Sequence, residues 1–295
     1  MSILTQNIPL WARILVHRTR HLACLGACCF AIAAPAAEEK EEAPFTVNDL
    51  TPEMRASITK APPDREIPYK PGMQLTYKIG WGWFNVGSAV LTVEEADLGG
   101  EDCLKFTLVA RTNSFADSIY KVRNTTTSWV DRNMTRTIHY TNDQNEGKRE
   151  RQVVMPINTE DNTVQYHNLI NNEIHEPIAI IDGTWDPMAI TFFVGTLQLS
   201  PGTQLVIPTT NGREFFLTYV VAKEVVERRF SIGKRKAILL EPDIKDLGGV
   251  FSRSDDSAVR FWFAAEGPQV PLRMESEVAV GSFWAELVSI EGADQ

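Results

Sequence analysis

From Met73 onward, apolar and polar residues alternate with a period of two. That alternation restricts the chain to antiparallel strands with one face on a core and the other towards water. Met73, Leu75, Tyr77 and Ile79 interleave with Gln74, Thr76 and Lys78; Leu104, Phe106, Leu108 and Ala110 interleave with Lys105, Thr107 and Arg111. The pattern recurs in Val153-Met155-Ile157, Val259-Phe261-Phe263 and Val270-Leu272-Met274. Turn residues punctuate it at Leu98-Gly99-Gly100, Asn145-Glu146-Gly147, Ser200-Pro201-Gly202 and Glu266-Gly267-Pro268. Asn211-Gly212, between Leu205-Val206-Ile207 and Phe215-Phe216-Leu217, is the strongest hairpin signal. The basic residues from Arg228 to Lys236 are interrupted by Phe230, Ile232 and Gly233, and read as a turn between two strands.

One segment departs from this period. Asp186-Pro187 supplies a cap followed by proline at the first helical position, and Met188, Ile190, Phe193 and Leu197 recur at helical spacing. This predicts a helix over 187–197, with Trp185 as a hydrophobic staple on Ile190. Phe192 lies off the main stripe, so the helix is apolar on more than one side and is expected inside the fold. Phe215, Leu217 and Tyr219 alternate with Phe216 and Val220, and Phe283 and Leu287 with Trp284 and Val288. Strands apolar on both faces need a cover on the second face, either that helix or the wall of an apolar cavity.

The N-terminus reads as an export signal. Arg13, His17, Arg18, Arg20 and His21 precede the 12-residue apolar run Leu22 to Ala33, and Ala34-Pro35-Ala36 offers a cleavage site. The run falls short of the roughly 20 residues that span a bilayer, and no other segment reaches spanning length. Leu25-Gly26-Ala27-Cys28 resembles a lipobox, the less favoured alternative, which would leave Cys28 lipidated. Residues 37–72, with Glu38-Glu39-Lys40-Glu41-Glu42 and six prolines from Pro44 to Pro71, are expected to form a flexible, disordered arm, in which Thr51-Pro52-Glu53 could cap a short helix through Ile58. Residues 73–295 are expected to form a single antiparallel β domain. Cleavage after Ala36 removes three arginines and no acid, taking the formal charge from −9 to −12. A chain so acidic is poorly suited to nucleic acid or anionic lipid as its main partner. Only Cys103 remains after cleavage, so stability must come from the core rather than a disulfide.

The remaining chain contains no nucleophile elbow, phosphate-binding loop, zincin motif or dinucleotide fingerprint. His139 and His167 sit in strand-like segments. Glu173 and His175 share a strand face, where an exposed polar hairpin explains them better than a metal site. Cys103 reads as a strand residue near a turn. Asp243, Asp246, Asp255 and Asp256 flank Gly248-Gly249 without the alternating spacing of a calcium loop. No metal or cofactor is therefore expected. Trp81-Gly82-Trp83-Phe84 groups three rings, and by period two Trp81 and Trp83 share a face. That face is either core or, if concave, a platform for an acyl chain or a sugar. Trp81, Trp83 and Phe192 are accordingly the candidate ligand-binding residues.

Three stretches carry a family resemblance: Tyr77-Lys78-Ile79-Gly80-Trp81 with Val86-Gly87-Ser88-Ala89; Tyr120-Lys121-Val122-Arg123-Asn124 with Ser128-Trp129-Val130-Asp131; and Val259 to Phe263 with Val270-Pro271-Leu272-Arg273-Met274 and Val280-Gly281-Ser282-Phe283. In order and spacing, over roughly residues 68–290, the chain resembles the exported bacterial family called domain of unknown function 3108. The resemblance implies a mostly β fold with a strongly curved, half-barrel-like antiparallel sheet, and brings no catalytic residues with it; with the apolar helix read from the residues, the expectation is such a sheet wrapping one short helix. Ala264-Ala265 stands where such proteins often carry an acid. The functional expectation is an exported, non-enzymatic envelope protein that holds a lipid, another apolar ligand or an envelope protein. The alternative is a secreted hydrolase of envelope or host glycans, which needs two carboxylates facing each other across a cleft.

Overall fold

The computed structural model describes residues 44–243, 259–278 and 281–292. The signal segment, Cys28, the acidic run at 38–42 and Asp246, Asp255 and Asp256 all lie outside the described residues. Within them, two antiparallel meanders form one curved sheet. The first comprises β1 (Gln74–Trp81), β2 (Phe84–Leu98), β3 (Glu101–Thr112), β4 (Val122–Asp131), β5 (Thr137–Glu146) and β6 (Arg149–Asn158). The second comprises β11 (Gln204–Thr210), β12 (Phe215–Phe230), β13 (Gly233–Asp243), β14 (Val259–Ala264), β15 (Pro271–Val278) and β16 (Gly281–Glu291). Pairing of β1 with β16, in which Gly80 faces Trp284, fuses the two. Four two-residue strands, β7 (Thr163–Val164), β8 (His167–Asn168), β9 (Glu173–Ile174) and β10 (Ile178–Ala179), extend the first meander beyond β6.

The sheet does not close into a barrel, since β10 and β11 end the strand order. A strap from Thr184 to Asp186 bridges part of the gap. Thr137 N donates to Thr184 O at 3.2 Å, and on the other side Trp185 N donates to Pro208 O and Thr210 N to Trp185 O, both at 2.9 Å. These bonds satisfy edge groups of β11 that would otherwise be open to pairing with another chain.

The expected period holds through most of β1 and through β3, whereas β11 is buried at six consecutive positions. Leu75, Tyr77 and Ile79 turn inward from β1, and Phe106, Leu108 and Ala110 from β3, all buried. Each large apolar side chain so buried contributes about 1.5–3 kcal/mol, which is how a domain whose described cysteine is free can hold together. The turn signals at 98–100, 145–147, 211–212 and 266–268 fall between strands as expected, and Ser200-Pro201-Gly202 lies between α3 and β11. The β11–β12 loop runs over Asn211 to Glu214, with Gly212 at φ +84°.

Two expectations need correction. The proline-rich stretch is packed rather than loose from residue 44 onward. Thr51 Oγ1 accepts Met54 N at 3.2 Å and caps α1 (Pro52–Ser57), and Thr59 N donates to Val206 O on the β11 edge at 2.8 Å. Arg65 then donates to Thr196 Oγ1 at 2.8 Å and to Met134 O at 2.5 Å, and Tyr69 is fully enclosed. Beyond α1 the prolines leave the segment without a regular element but do not prevent docking, because side chains and scattered amides make the contacts. Phe45 also stacks on Phe215 with centroids 6.2 Å apart, covering one face of a doubly apolar strand. The second correction concerns the expected helix over 187–197. It is the shorter α3 (Ala189–Val194), preceded by turns and followed by tighter bonds from Thr196 N to Phe193 O and Leu197 N to Val194 O.

Candidate binding site

Asp186 sets the position of α3. Its Oδ1 accepts Met188 N at 2.8 Å, Ala189 N at 2.9 Å and Ser128 Oγ at 2.8 Å, and Oδ2 accepts Thr137 Oγ1 at 2.8 Å. The carboxyl is fully buried. Burial pushes it above the usual carboxylate range, and the four donors pull it back part of the way. The capping role read from Asp186-Pro187 is therefore real, but the staple is different. Trp185 stacks on Phe193, with centroids 4.5 Å apart.

So anchored, α3 divides the interior in two. On one side the space is filled: Phe192 stacks on Phe106 at 5.0 Å and meets Tyr69 edge-on at 5.4 Å. On the other side Ile190, Thr191 and Val194 face a cavity of about 100 Å³. Tyr140, Val153 and Met155 of β5 and β6 form one wall, and Phe216, Thr218 and Val220 of β12 form the wall opposite. Leu240, Phe261 and Phe263 complete the apolar surface. At about 100 Å³ the space is smaller than the roughly 150 Å³ apolar cavity that takes a benzene ring, so it suits a short acyl segment better than a ring.

The polar end of the cavity carries Asn142, Arg151, Asn211 and Arg213. Arg151 donates to Tyr166 Oη from Nε at 3.0 Å and from Nη2 at 2.6 Å. The Arg213 guanidinium lies over the Tyr166 ring, 4.2 Å from its centroid, and pairs with Glu173 at 2.5 Å. Glu173 Oε1 also meets His175 Nε2 at 2.7 Å. That bond, helped by Asn171 and Arg213, holds the Glu173 carboxyl below its usual range. Glu173 offsets the charge of Arg213, so Arg151 leaves one net positive charge beside the apolar hole, an arrangement that suits an apolar body ending in a single anion or a hydrogen-bond acceptor.

A strip of inward polar residues adjoins the cavity at Asn142. Asn124, Thr126, Asn142, Gln144 and Glu146 are all buried on β4 and β5. Thr126 Oγ1 donates to Asn142 Oδ1 at 3.2 Å, and Asn124 Nδ2 to Glu146 Oε1 at 2.6 Å. Burial lifts the Glu146 carboxyl, against the pull of Asn124, Arg149 and Arg151. Sequence reading places none of the five inside: Glu146 reads as part of a turn, and polar residues in an alternating strand look like its wet face.

The structure does not bring Trp81, Trp83 and Phe192 together. Trp81 ends β1, half-buried and stacked on Phe283 at 6.2 Å. Gly82 turns the chain at φ +53°, leaving Trp83 at the hairpin tip with 99% of its surface exposed. The glycine thus serves a turn and not a bulge within a strand, so the two indoles do not share a strand face. Phe192 packs in the filled half of the interior, and none of the three lines the cavity. Cys103 is buried, and burial raises its thiol. Among the described residues no group of three or more His, Cys, Asp or Glu is placed to hold a metal, and no helix is long and apolar enough to cross a membrane.

Fold and cavity define a class: an open, strongly curved antiparallel β half-barrel around a short internal helix and an apolar hole. The chain belongs to the family described as protein of unknown function DUF3108, which it matches over residues 76–288. No curated protein matches it. Its fold is similar to that of a β-barrel-like protein of domain of unknown function DUF1849 from Brucella abortus. The identity is 14% over 74% of this chain and 96% of that one, with a TM-score of 0.50. A Bacteroides fragilis protein with a YmcC-like fold aligns at 8% identity over 77% of this chain and 99% of that one, with a TM-score of 0.32.

Proposed function

We propose that this is an exported, non-enzymatic protein of the bacterial cell envelope that binds an apolar ligand between α3 and the inner face of the sheet. The observation that carries the reading is the cavity itself: an apolar hole beside a filled core, with Arg151 and Arg213 at one end. The signal-like residues 1–36 support export. A glycan hydrolase is the weaker reading, because among the described residues no carboxylate lines the cavity and that chemistry needs two.

Native mass spectrometry of the protein purified after export tests the reading. The expected result is an added mass that organic extraction removes, and binding of a fluorescent fatty-acid analogue by the extracted protein. Protein that carries no added mass and binds no such probe overturns it.

A further inference from the structure

We infer that the end of the sheet bearing the β1–β2 hairpin docks on an anionic bilayer surface, independently of what the cavity holds. Four large apolar side chains stand in water there. Trp83 and Phe84 at the hairpin tip are 99% and 61% exposed, and Phe115 and Ile119, in and just after α2 (Ser114–Asp117), are 58% and 51% exposed. They form one patch, since Phe84 stacks on Phe115 at 6.4 Å and Asn113 Nδ2 donates to Asn85 O at 2.8 Å, tying the α2 loop to the hairpin. A lone exposed aromatic needs no explanation, but a cluster carried on two tied loops does.

Charge selects the occupant. The chain is acidic overall, at −9 and at −12 without residues 1–36, yet the loops beside the patch present cations. Gly147 N donates to Lys121 O at 2.8 Å, bringing the exposed Lys121 next to the exposed Lys148 of the β5–β6 turn. Acids at this end are largely occupied: Asp117 pairs with Arg123 at 2.6 Å and Glu146 is buried against Asn124, while exposed Glu150 lies one residue along β6. Tryptophan and phenylalanine with flanking lysines suit the headgroup region of a bilayer, where rings enter the interface and cations meet phosphate.

Vesicle co-sedimentation tests this, using full chain purified after export and carrying Cys28→Ser so that no acyl group contributes. Binding is expected to phosphatidylglycerol–phosphatidylethanolamine vesicles and to be much weaker with phosphatidylcholine. Trp83→Ser with Phe84→Ser should lower partitioning about 10-fold or more, as expected for two interfacial rings. Lys121→Gln with Lys148→Gln should lower it by about 25-fold, near 5-fold per cation. These side chains are exposed, so thermal melts of all variants should match the parent. Absence of vesicle binding, binding unaffected by either double substitution, or sedimentation velocity showing a dimer that Trp83→Ser dissociates would each overturn the inference.

Discussion

Thr137 and Asp186 hold each other by two bonds: Thr137 Oγ1 donates to Asp186 Oδ2 at 2.8 Å and accepts Asp186 N at 3.0 Å. The pair locks the residues leading into α3 to the first residue of β5, so it fixes both the strap across the sheet gap and the helix that forms one cavity wall. Asp186→Ala removes the acceptor for two hydroxyls and two amides in a site without water access. Leaving such donors unmatched costs about 1–3 kcal/mol each before relaxation, so a loss of about 3 kcal/mol or more is expected by urea denaturation. Asp186→Asn keeps one acceptor oxygen for the Met188 and Ala189 amides and should cost about 1 kcal/mol. Equal losses from the two substitutions would show that the backbone, and not this side chain, holds α3.

Glu146 should make stability depend on pH in a direction opposite to that of an ordinary ion-paired acid. Burial raises its carboxyl in the folded protein above the unfolded value. The folded state therefore binds that proton more tightly, and the contribution is fully present below the unfolded carboxylate pKa. It is lost as pH climbs through the raised folded one. Glu146→Gln keeps an oxygen for Asn124 and carries no charge. Its stability relative to the parent should rise from acid to neutral pH, as read from urea midpoints across the range. A difference that is flat with pH would mean the carboxyl titrates in the folded state as it does unfolded.

How much of this was readable from residues alone varies along the chain. Leu75, Tyr77 and Ile79 announce a half-buried strand because burial of one face and the pleat impose the same period. Asp186-Pro187 announces a helix start because cap chemistry is local. The end of α3 is not local. Gly195 sits against Tyr69 and Gln269, partners 126 and 74 positions away in sequence, and that crowding coincides with the helix stopping after Val194. The cavity is hidden for the same reason: alternation says which side of a strand is inward, but not that Val153 of β6 will face Val220 of β12. Trp81 and Trp83 mislead because the period of two does not continue through Gly82, where the chain reverses. Phe192 is inside, as its apolar surroundings predict, yet only the orientation of α3 decides that it meets Phe106 and not the hole.

That crowding at Gly195 gives a direct prediction. Its φ of −66° suits any residue, so strain is not the issue. A methyl group there would collide with Tyr69 Oη and the Gln269 carbonyl oxygen. Gly195→Ala should therefore cost about 1–3 kcal/mol, as overpacking does. Gly195→Ala combined with Tyr69→Phe, which removes the colliding hydroxyl, should recover part of that loss. If the double substitution merely adds the two single costs, the collision is not with Tyr69.

Thr191 offers the cleanest separation of cavity from core. It is half-buried, it lines the hole, and it stands beside rather than inside the packed cluster of Phe192, Phe193 and Trp185. Thr191→Phe places a ring into a space of about 100 Å³, so the folded state should be unchanged or stabilised by about 1 kcal/mol, as cavity filling commonly does. A fluorescent fatty-acid analogue that binds the parent should lose at least about 10-fold in affinity, since the apolar body must then compete with a covalent occupant. Arg213→Gln acts on the other end of the same site. It leaves the hole open and removes one of two cations, so it should weaken a probe with a carboxylate while sparing the matching alcohol. If Thr191→Phe binds the probe as the parent does, the ligand does not occupy this cavity, whatever the fate of the arginine variant.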